Sequence, residues 1–248
     1  MSREIVVITP TGDREIAFSL SRKWMRHQTV KPTKWIIVDD GQWKTKSWYM
    51  HKYDWYIRRE PRDTDPKFTL VINVARALED VGQCSDDTIF IFWEDDEYYA
   101  PTYIEEMCNR IEKYDVLGMG CAKYYHLPTG GYAELRNMHH ASLAQTAFKA
   151  TALPIINQCI DLGMELDWLD CNIWKQAKML INRLEYKVFK DEKYLYAGMK
   201  GLPGRLGIGV GHRPDDIYKT YDLDQSILKL WTGVGAQEYL SLKKECYV

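Results

Sequence analysis

The chain has 248 residues, 46 % of them hydrophobic, which is enough to bury a sizeable core. Lysine plus arginine number 33 against 35 aspartate plus glutamate, and the formal charge of -2 gives no global reason to bind nucleic acid or an anionic membrane. The longest apolar runs fall far short of the roughly 20 residues that cross a bilayer.

Residues 5–9 are a β-branched, continuously apolar run ending in Pro-Thr-Gly-Asp, which predicts a buried strand entering a loop. An amphipathic helix follows, with Ile16, Leu20 and Trp24 spaced every four positions. Residues 34–38 give a second buried strand that ends at Asp39, Asp40 and Gly41. Strand, helix, strand implies a parallel unit. Between residues 43 and 68 the periodicity is lost, and the reading is a long loop or irregular insertion. A second helix carries Leu70, Val71, Val74, Ala75 and Leu78 on one face. Residues 88–93 predict a third buried strand, followed by four consecutive acids and a helix with Pro101 in its first turn. Residues 116–124 read as another strand, and Pro128 to Gly131 as a hairpin turn that makes the sheet mixed beyond about residue 125. Helices are expected near 150–161 and 168–182, and a mobile glycine-rich loop over 198–211. No repeat or linker divides the chain. The expectation is therefore one α/β domain over 1–248, with a doubly wound parallel or mixed sheet, a ligand-binding half at 1–124 and a second half at 125–248. Six cysteines without a CxxC pattern, and no apolar leader, read as reduced thiols in a cytoplasmic protein.

Three polar clusters fall at the carboxyl ends of predicted parallel strands: 9–14, 39–41 and 94–97. Loops diverge there to form the crevice in which open α/β sheets bind ligands. Each acid taken alone also suits a helix cap or a solvated turn. Residues 79–115 hold twelve acids and two bases, with Glu94, Asp95, Asp96 and Glu97 consecutive. Such hard oxygen donors suit Mg²⁺ or Mn²⁺; a solvated acidic loop is the bland alternative.

The segments ITPTGDR at 8–14, IVDDG at 37–41 and FWEDDE at 92–97, in this order and spacing, resemble the three signposts of family-2, GT-A-fold glycosyltransferases. The resemblance covers residues 4–105 and thins beyond them. It implies a GT-A-like fold and a metal-dependent transfer of sugar from a nucleotide donor, with a UDP-sugar favoured. Thr9, Pro10, Arg14, Asp39, Asp40 and Asp95 would bind the nucleotide. Glu94 and Asp96 would hold Mn²⁺ or Mg²⁺ on the donor diphosphate, although the family usually has aspartate where this chain has Glu94. The family's arginine-asparagine pair is matched only loosely, by Asn73 and Arg76. The segment DWLDCNIW at 167–174 is similar to the helix start that carries the catalytic base of inverting members. Asp170 aligns best, then Asp167, with Trp168 between them on the acceptor side; capping of the helix by either acid is the plain alternative. GVGHR at 209–213 resembles the late histidine segment that completes many GT-A metal sites, which points to His212. Arg205 and Arg213 are candidates for the diphosphate.

Residues 21–62 contain eleven bases and four acids among many aromatics. Trp43, Trp48, Tyr49, Tyr53, Trp55 and Tyr56 would stack on sugars or on unstacked bases, or would pack under a folded insertion. The acceptor is accordingly either a glycan or a hydroxymethylated pyrimidine in DNA, as for phage DNA-modifying glycosyltransferases. A sugar-nucleotide nucleotidyltransferase is the alternative enzyme, although the expected GxGxR start is absent. A non-catalytic sugar-nucleotide-binding module is the alternative outside catalysis.

Overall fold

A computed structural model describes residues 3–43, 51–65, 68–166, 169–179, 184–207, 209–212 and 217–247. The β-branched run forms β1 (Ile5–Thr11), buried along its whole length, as expected of a central strand covered on both faces. The helix α1 (Glu15–His27) leads into β2 (Lys34–Asp39), which lies parallel to β1 with Thr11 opposite Asp39. The buried stripe of α1 is Ala17, Phe18, Ser21, Trp24 and Met25, so Ile16, expected on that stripe, is exposed instead.

The stretch read as irregular holds a strand, β3 (Asp54–Arg58), parallel to β2 at the sheet edge. Its alternation is hidden because an edge strand exposes Trp55 and ends in charged residues that make specific contacts. The helix α2 (Leu70–Glu79) returns the chain to β4 (Ile89–Phe92), on the other side of β1. Then come β5 (Glu97–Tyr99), α3 (Tyr103–Arg110), β6 (Val116–Gly120), β7 (Lys123–His126) and β8 (Gly131–Glu134). The single strand expected over 116–124 is thus two strands, separated at Cys121, which adopts φ +56°. That break sends β6 and β7 into different sheets.

The strand β9 (Thr146–Lys149) inserts antiparallel between β4 and β6. The helices α4 (Leu153–Leu166) and α5 (Leu169–Met179) precede β10 (Tyr186–Lys190), β11 (Tyr196–Lys200) and β12 (Thr220–Tyr221), and α6 (Ser226–Thr232) and α7 (Ala236–Tyr247) follow. Gly198, assigned to a mobile loop from its sequence, lies inside the buried strand β11.

The main sheet runs β10-β6-β9-β4-β1-β2-β3, and a second sheet runs β12-β8-β7-β11-β5. This is a mixed α/β fold of GT-A-like architecture. The chain order reverses direction between β1 and β4, which defines a switch-point crevice at their carboxyl ends. The two faces of the main sheet bury separate cores. One of them absorbs much of the aromatic surplus: Trp24, Trp35 and Trp93 are buried, and their indole N–H groups donate to Tyr239, Thr9 and Ser21 at 3.0, 2.8 and 2.8 Å. No helix among the described residues is long and apolar enough to cross a membrane, and all six cysteines are free thiols.

Candidate functional site

The parallel registers bring the loops after β1, β2 and β4 to one edge. Thr11 lies opposite Asp39, Ile8 lies opposite Phe92, and Glu94 follows two residues after that pair. The three predicted clusters therefore converge. The first and third open on a cleft of about 420 Å³ whose far wall carries Asn137, His140 and Asp170, while Asp39 and Asp40 lie buried behind it.

Arg14 organises the near wall. One guanidinium nitrogen lies 2.9 Å from an Asp95 oxygen and 3.0 Å from Asp96 Oδ2, while its Nε donates to the Arg205 carbonyl at 2.6 Å. The other Asp95 oxygen accepts from the Thr11 hydroxyl at 2.6 Å. Burial disfavours the Arg14 charge, but Asp96 and Asp95 overcome this and hold it firmly protonated.

The second loop is also saturated by cations. Asp40 is bound through one oxygen by Arg205 and through the other by Arg59, both at 2.7 Å. Despite burial, these pairs hold its carboxyl below the usual range. Asp39 is fully buried; it accepts from Tyr56 Oη at 2.8 Å and from the Gly41 N–H at 3.0 Å.

On the acidic loop, burial pushes Glu94 up to about 7, helped by the neighbouring Asp96 charge. Burial pushes Asp96 the same way, but Arg14 and Lys200 outweigh it and bring Asp96 down to about 2. Oxygen atoms of Glu94, Asp96 and Glu97 lie within 4.8 Å of one another. Glu97, at the start of β5, is already engaged: it binds the Lys200 ammonium and accepts from the Met199 N–H at 2.8 Å. His212 Nε2 stands 3.6 Å from Asp96 Oδ2. Burial, with Lys200 nearby, brings its imidazole down to about 3, so it is neutral at pH 7.

A divalent cation suits this donor set. Five carboxylates around the cleft, those of Glu94, Asp95, Asp96, Glu97 and Asp170, face three cations, Arg14, Lys200 and Arg205, the last of which also pairs with Asp40. Asp96 Oδ1 and His212 Nδ1 are buried without a hydrogen-bond partner among the described residues, and such orphaned atoms are costly unless something binds them. Asp96, Glu94 and neutral His212 are the residues that would hold the ion.

Three-dimensional comparison finds the same fold in S. aureus TarS. The structure of TarS in complex with UDP superposes with a TM-score of 0.53 at 15 % identity, over 79 % of this chain and 60 % of that one. A longer TarS structure gives 0.55 at 14 % identity, over 79 % of this chain and 36 % of that one. TarS in complex with UDP-GlcNAc gives 0.50 at 13 % identity, over 80 % and 59 %. This chain therefore spans less than two thirds of the TarS chains that it resembles. No family model matches the sequence, and no curated protein matches it.

Of the sequence-proposed residues, Pro10, Arg14, Glu94, Asp95, Asp96, Asp170, Arg205 and His212 line the cleft. Thr9 does not: its hydroxyl is buried and accepts from Trp35, and Thr11, two residues on and on the same side of the strand, faces the site instead. Asn73 reaches the cleft and accepts from Arg59 at 2.7 Å, whereas Arg76 pairs with Asp80 on the helix surface. Asp167, Trp168 and Arg213 lie outside the described residues, as do Trp48 and Tyr49. Lys200, Tyr124, Asn137 and His140 line the site and escaped the sequence reading. A lysine ending a buried strand has no local signature; its acidic partners lie about a hundred residues away.

The basic insertion is less available than its composition suggests. Lys23, Lys34, Arg58 and Arg59 form ion pairs with Glu238, Asp80, Asp39 and Asp40. The Lys31 ammonium donates to backbone carbonyls at the end of α1.

Proposed function

We propose that this chain is a glycosyltransferase domain, one unit over 1–248, that moves a sugar from a nucleoside diphosphate donor, a UDP-sugar, to an acceptor hydroxyl. The observation that carries the reading is the convergence at the β1/β4 switch point of a cation-hungry acidic cluster with a carboxylate, Asp170, across the same cleft. Residues 1–124 supply most of the donor wall, to which Lys200, Arg205 and His212 add from the second half, and 125–248 supply the acceptor wall. Bound to Glu94, Asp96 and His212, Mn²⁺ or Mg²⁺ would neutralise the charge on the departing diphosphate.

The chain's own residues do the rest. Thr11, Pro10 and the Arg14–Asp95 pair border the nucleotide, with Asp39 and Asp40 fixing the second loop behind it. Arg205 and Lys200 supply further positive potential near the phosphates. Asp170 sits in the first turn of α5, and its Oδ1 accepts the Cys171 N–H at 2.8 Å. Burial raises its carboxyl above the usual range, which suits a general base. In the transfer, Asp170 takes the hydroxyl proton, the acceptor oxygen bonds to the anomeric carbon, and the bond to the diphosphate oxygen breaks with its electron pair leaving on the nucleotide. Attack opposite the leaving group inverts the anomeric centre.

The acceptor is read as a saccharide hydroxyl, because four of the eleven bases of 21–62, Lys23, Lys34, Arg58 and Arg59, are already paired with carboxylates. A hydroxymethylated pyrimidine in DNA predicts duplex binding that weakens steeply with salt. Its absence at low salt favours the saccharide.

The test is thermal stabilisation by UDP with Mn²⁺, compared in the wild type and in Asp96→Asn, together with nucleotide release from a panel of UDP-sugars. Manganese-enhanced stabilisation that Asp96→Asn abolishes is expected. Equal stabilisation in both proteins removes the metal assignment, and indifference to every nucleotide sugar removes the donor reading. Proton NMR of the product's anomeric linkage reads inversion directly.

A further inference from the structure

The start of β7 has no part in the reading above, yet it crosses the cleft from one wall to the other. At the far wall, the Cys121 N–H donates to the Asn137 carbonyl at 2.8 Å, and the Ala122 carbonyl accepts from the Leu135 N–H at 2.9 Å. Two residues beyond Ala122, Tyr124 lies opposite Gly198 of β11, the strand whose Lys200 binds Glu97. The chain from Cys121 to Tyr124 thus spans the interval between the wall of Asp170 and the acidic cluster, and Cys121, Ala122 and Tyr124 all line the cleft.

The Tyr124 ring is seated by glycines. A Cβ on Gly198 would overlap Cδ1 and lie 2.8 Å from Cε1, and one on Gly211, next to His212, would lie 3.1 Å from Cδ1. One edge of the ring is therefore wedged between two bare backbones, with the Lys200 ammonium 5.5 Å from its centroid. The remainder of this half-buried ring borders the cleft. Burial pushes the phenol up to about 12, so the hydroxyl keeps its proton at neutral pH and adds no charge to the acidic cluster. Of the other aromatic rings that line the cleft among the described residues, Tyr196 is buried and Phe68 belongs to the segment leading into α2.

We propose that Tyr124 seats the donor sugar: its ring packs against the C–H face of a pyranose whose diphosphate is held at the acidic cluster, and so presents the anomeric carbon toward Asp170. The assignment rests on the donor reading above. With the diphosphate held beside Glu94, Asp96 and His212, and the acceptor proton taken by Asp170, the pyranose lies between them, over the residue that spans that interval. A pyranose presents C–H groups on its faces, and the face of an aromatic ring carries the complementary negative potential. A ring already wedged by its neighbours loses little freedom when the sugar arrives.

Calorimetric titration of the full chain, in Mg²⁺, with UDP, UDP-glucose, UDP-galactose and UDP-GlcNAc gives the ratio of each sugar nucleotide's affinity to that of UDP. For the hexose with the highest ratio in the wild type, Tyr124→Leu is expected to lower that ratio about three- to tenfold with UDP affinity unchanged, and Tyr124→Phe to keep most of it. An unchanged ratio in Tyr124→Leu overturns the proposal, and a parallel loss of UDP affinity contradicts a seat specific to the sugar. Ring ¹³C spectra of the tyrosine-labelled wild type, with Tyr124 assigned by the loss of its signals in Tyr124→Phe, test the contact without asking a variant to bind. The Tyr124 signals are expected to move further with a UDP-hexose than with UDP. Equal movement with UDP and with all three UDP-hexoses overturns the seat. Indifference of the whole chain to UDP removes the donor reading and the seat with it, whereas UDP binding with an unchanged ratio removes the seat alone.

Discussion

Lys200 carries the heaviest electrostatic duty of any residue that the sequence reading missed, and its removal has a calculable consequence. Its side chain is 6 % exposed and pairs with a Glu97 side chain that is 1 % exposed, beside Asp96 and Glu94. Burial opposes the lysine charge, but these carboxylates hold it protonated far above neutrality. In Lys200→Met, the Met199 N–H still donates to Glu97, but the compensating charge is gone. Breaking one side of a buried ion pair costs about 3–5 kcal/mol. For a chain of this size, at about 2–4 °C per kcal/mol, the melting temperature should fall by roughly 6–20 °C. The assay is thermal unfolding of the wild type, Lys200→Met, Glu97→Gln and the double variant, read as a cycle. Glu97→Gln placed on Lys200→Met should recover much of the loss, because it removes the stranded charge. A loss under about 1 kcal/mol, the scale of an exposed pair, would refute the buried-pair reasoning, as would a double variant no better than Lys200→Met. The same substitution leaves the acidic cluster one charge more negative. Manganese should therefore stabilise Lys200→Met more than it stabilises the wild type.

Asp40 gives a pH signature. Its folded carboxyl lies below its unfolded value, so the stabilisation is present above about pH 4 and is lost as pH falls through the folded value. The urea midpoint of the wild type should exceed that of Asp40→Asn at pH 7, and the gap should narrow as pH falls below about 4; a constant gap would contradict the Arg205 and Arg59 pairing. Gly118 faces the Trp174 ring so closely that an added Cβ would lie 2.3 Å from Cζ2, and Gly118→Ala should cost about 1–3 kcal/mol in chemical denaturation. Wild-type stability in that variant would mean that α5 does not press on β6 as described. Ser21→Ala strands the buried Trp93 indole N–H and should cost about 1–3 kcal/mol by the same measurement, and a neutral result would show that the bond is dispensable.

What the sequence made legible follows from the range of the interactions involved. The strands β1, β2 and β4 are buried on both faces, so each reads as an uninterrupted apolar run whatever its neighbours, and the loops at their ends could be placed on one edge from order alone. The strand β3 stayed hidden because it is an edge strand with charged ends. Cys121 hid the division between β6 and β7, since a single positive φ leaves no mark in hydropathy. Within the site, Arg14 and Asp96 were legible because they belong to contiguous motifs. Lys200 was not, because its carboxylate partners are close only after the second sheet has formed, and Asn137 and His140, which contact each other locally, reach the cleft only through the fold. Thr9 differs from its expected place for a local reason: it lies on the same side of β1 as Thr11 but further back along the strand, where its hydroxyl is taken by the Trp35 indole N–H, while Thr11 at the strand's end reaches the acids.

The cleft wall is held in shape by charges that alternate along it. Asp96 and Asp95 bind Arg14, the Arg14 Nε holds the Arg205 carbonyl, the Arg205 guanidinium binds Asp40, and Asp40 binds Arg59, which reaches Asp65 at 2.6 Å. This string joins the loops after β4, β1 and β2 to the 201–207 segment, and so couples residues nearly two hundred positions apart. Gly12 and Gly204 permit the approach: a Cβ on Gly12 would lie 2.4 Å from Asp40 Oδ1, and one on Gly204 would lie 2.6 Å from the Asp13 carbonyl. Each member of the string is partly or fully withdrawn from water, so each cation must be answered by an adjacent anion, and the loops cannot part without leaving charges unpaired. This wall of the cleft is consequently organised by the chain's own charges. The carboxylates outside this string, Glu94 and Asp170, lie beside Asp96 on the side of the cleft where the proposed transfer takes place.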